Sequence, residues 1–156
     1  MIRFATLVPA LFLTAAPAFA DSDDIAAGEK AFKKCKACHA IIADNGEGEV
    51  LFKGGKTGPN LWGLPGRQAG SYPGYKYSAS LIAAGEAGLT WDEDTFEAFV
   101  QDPKKFLQSY LDDSKAKSKM TYRLKKGGED VWAFIAGVSP AAEAEMEDAS
   151  TETATD

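Results

Sequence analysis

The two cysteines and the single histidine of this 156-residue chain all fall within one run of five residues, Cys35-Lys36-Ala37-Cys38-His39. Random placement produces such a C-x-x-C-H run in about one sequence in ten thousand, so the fold has to be read as something that serves this cluster. A structural zinc site needs four ligands, and after two thiolates and one imidazole the chain has no strong nitrogen or sulfur ligand left. A thioredoxin-type dithiol sits between a strand and a helix, and no strand-like run precedes Cys35. A disulfide across two intervening residues constrains little of the unfolded chain, and it leaves His39 without a role.

Covalent haem attachment uses all three residues: the two thiols add to vinyl groups, and the adjacent imidazole is brought beneath the iron as proximal ligand. The N-terminus reads as an export signal. Of residues 1–20, 15 are apolar, Arg3 is the one early cation, and Ala18-Phe19-Ala20 forms a small-x-small cleavage site before Asp21. Pro9 and Pro17 interrupt the apolar run, which is too short to span a bilayer comfortably, and no later segment is a candidate span.

With 26% charged and 45% apolar residues, the rest suits one globular domain over residues 21–140. Residues 141–156 carry six acids, no base and no aromatic, which predicts a disordered acidic tail. Without the signal the net charge is −7, yet residues 33–126 hold fifteen bases against eleven acids. The acidic total argues against nucleic acid or anionic lipid as partner, whereas a basic body steers acidic protein partners.

Helical periodicity covers most of that body. Ile25, Gly28, Ala31, Phe32 and Cys35 share one side of an amphipathic run opened by Asp23 and Asp24, so a first helix delivers the motif at its C-terminal end. Residues 44–88 hold eleven of the fifteen glycines and three of the seven prolines, which predicts loop rather than sheet, interrupted by a short helix over 79–84 that stops at Gly85. Thr90-x-x-Glu93 reads as a capping box for a helix toward Gln101, and Pro103 ends that helix or starts the next. Phe106, Leu107, Tyr110 and Leu111 recur at helical spacing, as do Val131, Phe134, Ile135 and Val138. The fold class is all-α with few large aliphatics, and a large apolar macrocycle would complete its limited core.

Further landmarks follow the motif: Lys56-Thr57-Gly58-Pro59-Asn60-Leu61, Gly66-Arg67, Pro73-Gly74-Tyr75-Lys76-Tyr77, Leu89-Thr90-Trp91, Asp102-Pro103-Lys104-Lys105-Phe106, Ser118-Lys119-Met120 and Asp130-Val131-Trp132-Ala133-Phe134-Ile135. In these residues, their order and their spread over residues 24–138, the sequence resembles the class I c-type cytochromes, in particular the larger bacterial periplasmic, c2-type relatives of mitochondrial cytochrome c. The resemblance implies the cytochrome c fold: N- and C-terminal helices crossing with Gly28 against Phe134, and glycine-rich loops wrapped around one covalently bound haem c.

The resemblance also implies a set of site residues. Cys35 and Cys38 attach the haem, and His39 and Met120 are the iron ligands; Met1 leaves with the signal and Met146 lies in the acidic tail. A thioether stabilises ferrous relative to ferric iron, so this pair implies a fairly high reduction potential and a closed six-coordinate site. Pro59 offers its carbonyl to the other imidazole nitrogen of His39. Arg67, Tyr77 and Trp91 match positions that hydrogen-bond or neutralise the inner haem propionate. Tyr75 stands where relatives often carry an apolar aromatic. Phe99 stands where many relatives carry a tyrosine whose hydroxyl approaches the methionine sulfur, and its loss could shift the potential.

Residues 42–55 and 107–117 are insertions relative to the mitochondrial form, and both resemble the larger bacterial subgroup. Lysines 34, 36, 56, 104, 105, 115, 117, 119 and 126 lie near the family's exposed haem edge and predict a docking patch. The implied function is a soluble periplasmic monohaem electron carrier, not an enzyme. It would shuttle single electrons between a quinol-oxidising complex, quinol-cytochrome c reductase, and a terminal acceptor: an oxidase, a denitrification enzyme or a photosynthetic reaction centre. The expected form is a monomer that touches membrane-bound complexes transiently and binds no nucleic acid. The competing reading is a haem enzyme or sensor, such as a peroxidase, whose sixth coordination position opens.

Overall fold

A computed structural model describes residues 22–139. The expected signal peptide 1–20, with its cleavage after Ala20, and the acidic tail 141–156 lie outside the described residues, as do the side chains of Asp23, Asp24 and Ile25. Helix α1, Ser22–Phe32, runs into consecutive turns in which Lys34 N–H donates to Ala31 O (3.1 Å) and Cys35 N–H to Phe32 O (2.7 Å). Cys38 and His39 N–H then share the Cys35 carbonyl, both at 3.0 Å, so the motif is wound into a compact loop directly after the helix.

The last helix, α6, Gly128–Val138, crosses α1 with Gly28 at the contact. A Cβ on Gly28 would lie 2.2 Å from Asp130 O and 2.6 Å from Phe134 Cβ, so only glycine allows this approach. Around the crossing Phe32, Val131 and Ile135 are fully buried. Each contributes roughly 1.5–3 kcal/mol of burial.

The glycine-rich region departs from the expectation of loop without sheet. Strand β1, Ile41–Ile42, and strand β2, Val50–Phe52, form an antiparallel pair joined through the short helix α2, Ala43–Gly46. The physical reason is apolar anchoring at one end: Ile41 is fully buried, and Phe52 meets Phe32 edge-on at 4.7 Å and Phe134 at 5.8 Å. Flanking glycine density hides these two short strands in the sequence. Val50 and Leu51 remain exposed.

Helix α3, Ala79–Glu86, does not stop at Gly85. That position, inside the helix, is glycine because a Cβ there would fall 2.0 Å from Ala69 O, and it is Gly88, at φ +97°, that occupies the left-handed region after the helix. Helix α4, Glu93–Gln101, is capped two residues later than expected. Asp92 Oδ1 accepts from Thr95 N–H (2.8 Å) while Thr95 Oγ1 accepts from Asp92 N–H (3.0 Å), a capping box that displaces the Thr90 and Glu93 pair. Thr90 instead bridges to Gln68. Pro103 opens helix α5, Pro103–Tyr110, with Asp102 Oδ1 accepting from Lys105 N–H (3.2 Å).

Candidate functional site

The turns after α1 bring the motif to a cavity of about 370 Å³, within the roughly 300–1,000 Å³ range of cofactor sites. Cys35, Cys38, His39, Pro59, Arg67, Tyr77, Trp91 and Met120 all line it, although they come from three loops and the turns after α1. Much of the remaining wall is apolar, built from Leu61, Leu64, Leu81, Phe99, Val100 and Val131. Exposed Lys34, Lys119 and Tyr122 stand at the rim.

His39 Nδ1 donates to Pro59 O at 2.9 Å. A carbonyl only accepts, so the proton is on Nδ1 and Nε2 keeps its lone pair for a metal. Burial lowers the His39 pKa, with the Pro59 hydrogen bond opposing, and the neutral ring is the ligating form. Gly58 presses on the same ring: a Cβ there would lie 2.3 Å from Cε1 and 2.7 Å from Nε2. Burial pushes the Cys35 thiol up to about 11, with Lys34 partly opposing. Cys35 and Cys38 are not bridged to each other. Among the described residues no three His, Cys, Asp or Glu side chains converge as a metal site, and the motif follows helix α1 rather than a strand, unlike a thioredoxin-type dithiol.

Arg67 serves the loop as well as the cavity. Its Nη1 donates to Trp62 O (2.8 Å), its Nη2 to Asn60 O (3.2 Å), and its guanidinium lies 5.1 Å from the Tyr72 ring centroid. Tyr77 is half-buried, packed edge-on against Tyr75 at 4.7 Å; burial pushes its hydroxyl up to about 12, partly offset by Arg67, so it remains a donor. Tyr75 donates its own hydroxyl to Thr57 O (2.8 Å). Trp91 and Phe99 are buried and meet edge-on at 5.1 Å.

The Met120 segment is tied to its surroundings on both sides. Lys117 N–H donates to Ser80 Oγ (2.9 Å) and Lys119 Nζ to Lys76 O, while within the segment Met120 N–H donates to Ser118 Oγ (3.1 Å). Beyond it, Leu124 N–H donates to Val100 O (2.8 Å), Lys125 Nζ to Gln101 O (3.1 Å), and Arg123 Nε pairs with Asp102 Oδ2 (3.1 Å).

Sequence reasoning missed the backbone sheath around the motif. Gly55 N–H donates to Lys36 O and Gly58 N–H to Cys38 O, both at 2.8 Å, and a Cβ on Gly54 or Gly55 would collide with His39 O or Ala37 O. The signal was present as three glycines within five residues, at 54, 55 and 58, a spacing that marks close backbone approach. Asn60 and Ser80 were also missed, because hydrogen bonds made by lone polar side chains leave no periodic trace.

The fit to a haem rests on the donor set: two thiols three residues apart, an oriented neutral imidazole and a tethered thioether face one largely apolar cavity. No family model matches the chain. It is 57% identical over 139 residues to cytochrome c-551 of Roseobacter denitrificans, covering 89% of this chain and 97% of that one. It is 53% identical over 134 residues to cytochrome c2 of Rhodobacter capsulatus, covering 86% and 94%. The solved structure of Rhodobacter capsulatus cytochrome c2 superposes with a TM-score of 0.70 at 52% identity, covering 74% of this chain and 97% of that one. The cofactor is one covalently attached haem c, and the chain belongs to the bacterial class I c-type cytochromes of the c2, c-550 and c-551 group.

Proposed function

We propose that the protein is a soluble periplasmic monohaem electron carrier, with Cys35 and Cys38 in thioether bonds to the haem and His39 and Met120 as the iron ligands. The observation that carries this reading is that His39, oriented by Pro59, and the Met120 thioether line the same cavity as both thiols. When bound, the haem supplies a one-electron ferric/ferrous couple. The chain's own residues hold and shield it: Pro59 keeps the imidazole in one tautomer, the apolar wall excludes water, and Arg67, Tyr77 and Trp91 offer donors to a half-buried propionate. The five bonds that tie the Met120 segment to neighbouring segments disfavour an opening sixth position and hence an enzyme or sensor.

Residues 1–20 act as the export signal in this reading, residues 21–140 form the haem domain, and the acidic tail 141–156 is a solubilising extension that screens the lysines weakly. Lysines 34, 36, 56, 104, 105, 115, 117, 119 and 126 are all exposed. They form a patch suited to fast, salt-sensitive encounter with acidic surfaces on a quinol-oxidising complex and on a terminal acceptor. Stopped-flow oxidation of the reduced protein by a partner oxidase, measured against ionic strength, tests the carrier role. The rate should fall as salt rises above its optimum, with one electron delivered per haem; a rate that stays flat or rises monotonically with salt contradicts the docking patch.

A further inference from the structure

We propose that Asn60 is a positioning residue for the iron-binding centre: it holds the Pro59 carbonyl against His39 and couples the β1–β2 hairpin to that ligand. The inference rests on His39 being the iron ligand, as proposed above. Pro59 has no N–H, so its carbonyl is its only backbone hydrogen-bonding group, and that carbonyl belongs to the peptide plane shared with Asn60. Whatever fixes Asn60 therefore fixes the acceptor of His39 Nδ1, 2.9 Å away.

The Asn60 side chain is bonded on every side. Its Oδ1 accepts from Ile42 N–H (3.0 Å) and Trp62 N–H (3.2 Å), and its Nδ2 donates to Ile42 O (2.6 Å) and Tyr72 Oη (3.2 Å). Exchanging both polar groups of Ile42, the carboxamide stands in for the peptide of a third strand beside β1, and Leu61 N–H continues the pairing to Ala40 O at 3.0 Å. Its own carbonyl accepts from Arg67 Nη2. This clamp has something to restrain, since a cleft of about 260 Å³ lined by Ile42, Gly46, Pro59, Asn60, Tyr72 and Tyr75 lies beside the Pro59 peptide. Without the clamp the peptide plane has room to rotate and water has room to reach the carbonyl.

The test is hydrogen exchange of the His39 Nδ1 proton, followed by NMR in the haem-loaded protein against the Val131 amide in α6 as internal reference. Asn60→Asp keeps the Oδ1 acceptor and loses both donated bonds; Asn60→Ala loses all four side-chain bonds. A positioning role predicts that Nδ1 exchange accelerates at least tenfold relative to Val131 in Asn60→Asp, and further in Asn60→Ala. It also predicts a shifted Nδ1 proton resonance, while Tyr72→Phe, which leaves three of the four Asn60 side-chain bonds in place, stays within about twofold. Nδ1 exchange that accelerates no more than Val131 in Asn60→Asp marks Asn60 as merely structural and overturns the proposal. The visible spectrum of the unsubstituted protein separates the two levels: without covalent haem, or without the far-red band of methionine ligation, the underlying reading fails before Asn60 is in question.

Discussion

Gly58→Ala drives a single methyl group directly against the His39 ring. The added Cβ falls 2.3 Å from His39 Cε1, 2.6 Å from Nδ1 and 2.7 Å from Nε2, where unstrained carbon contacts need roughly 3.5 Å. About 1 Å must be opened. Neither side yields easily, because the ring is bonded to Pro59, the very next residue, and Gly58 N–H is bonded to Cys38 O at 2.8 Å. Overpacking of this kind costs about 1–3 kcal/mol, and a weakened His39 to Pro59 bond adds about 1 kcal/mol. Against this, alanine narrows the unfolded ensemble by about 0.4–1 kcal/mol. The expected net loss is about 1–3 kcal/mol. Guanidinium unfolding of the haem-loaded variant should show a lower midpoint at unchanged slope, together with shifted His39 ring resonances. Unchanged stability with unshifted ring resonances would refute the claim that Gly58 exists to make room for the imidazole.

Gly28→Ala sets helix propensity against packing. Alanine favours α1 by about 1 kcal/mol, but its Cβ meets the backbone at Asp130 O, which cannot swing aside, so unfolding by urea should show net destabilisation; a more stable variant contradicts the close crossing. Asp92 accepts from Thr95 N–H and Thr95 Oγ1, bonds that hold its carboxyl below the ordinary 3.8. Its stabilisation is therefore present above the unfolded value and is lost as pH falls through the lower folded value. Asp92→Ala should cost about 1 kcal/mol at neutral pH, and the gap between wild type and Asp92→Asn should narrow in urea titrations as pH is taken below the ordinary carboxylate value. A gap that does not change with pH contradicts the charge-assisted cap.

Chemistry concentrated in few residues was legible in advance. Cys35, Cys38 and His39 announce their purpose because nothing else in the chain shares their ligand types, whereas the pairing of Gly28 with Phe134 came from the resemblance, helical periodicity showing only that each lies on a packed face. Met120 needed the resemblance, since one methionine among several carries no local signature. What escaped was set by contacts between segments distant in sequence. Phe52 becomes a strand residue through Phe32 and Phe134, and Gly85 is a glycine because Ala69 O approaches it, not because the helix ends there. The cap moved to Asp92 because local hydrogen-bonding geometry, not the S/T-x-x-E pattern, decides which side chain reaches the N3 amide. The resemblance points Arg67 toward the cavity alone, whereas its bonds to Trp62 O and Asn60 O make it equally a strut of the loop.

The central claim, a closed centre with His39 and Met120 on one covalent haem, is tested most directly by the visible spectrum of the purified protein and of Met120→Ala. The account predicts haem that survives acidic organic extraction in both proteins. It also predicts a far-red band in the ferric wild type that added azide leaves unchanged and that Met120→Ala lacks. Haem that extracts freely, or a far-red band that persists in Met120→Ala, would contradict it.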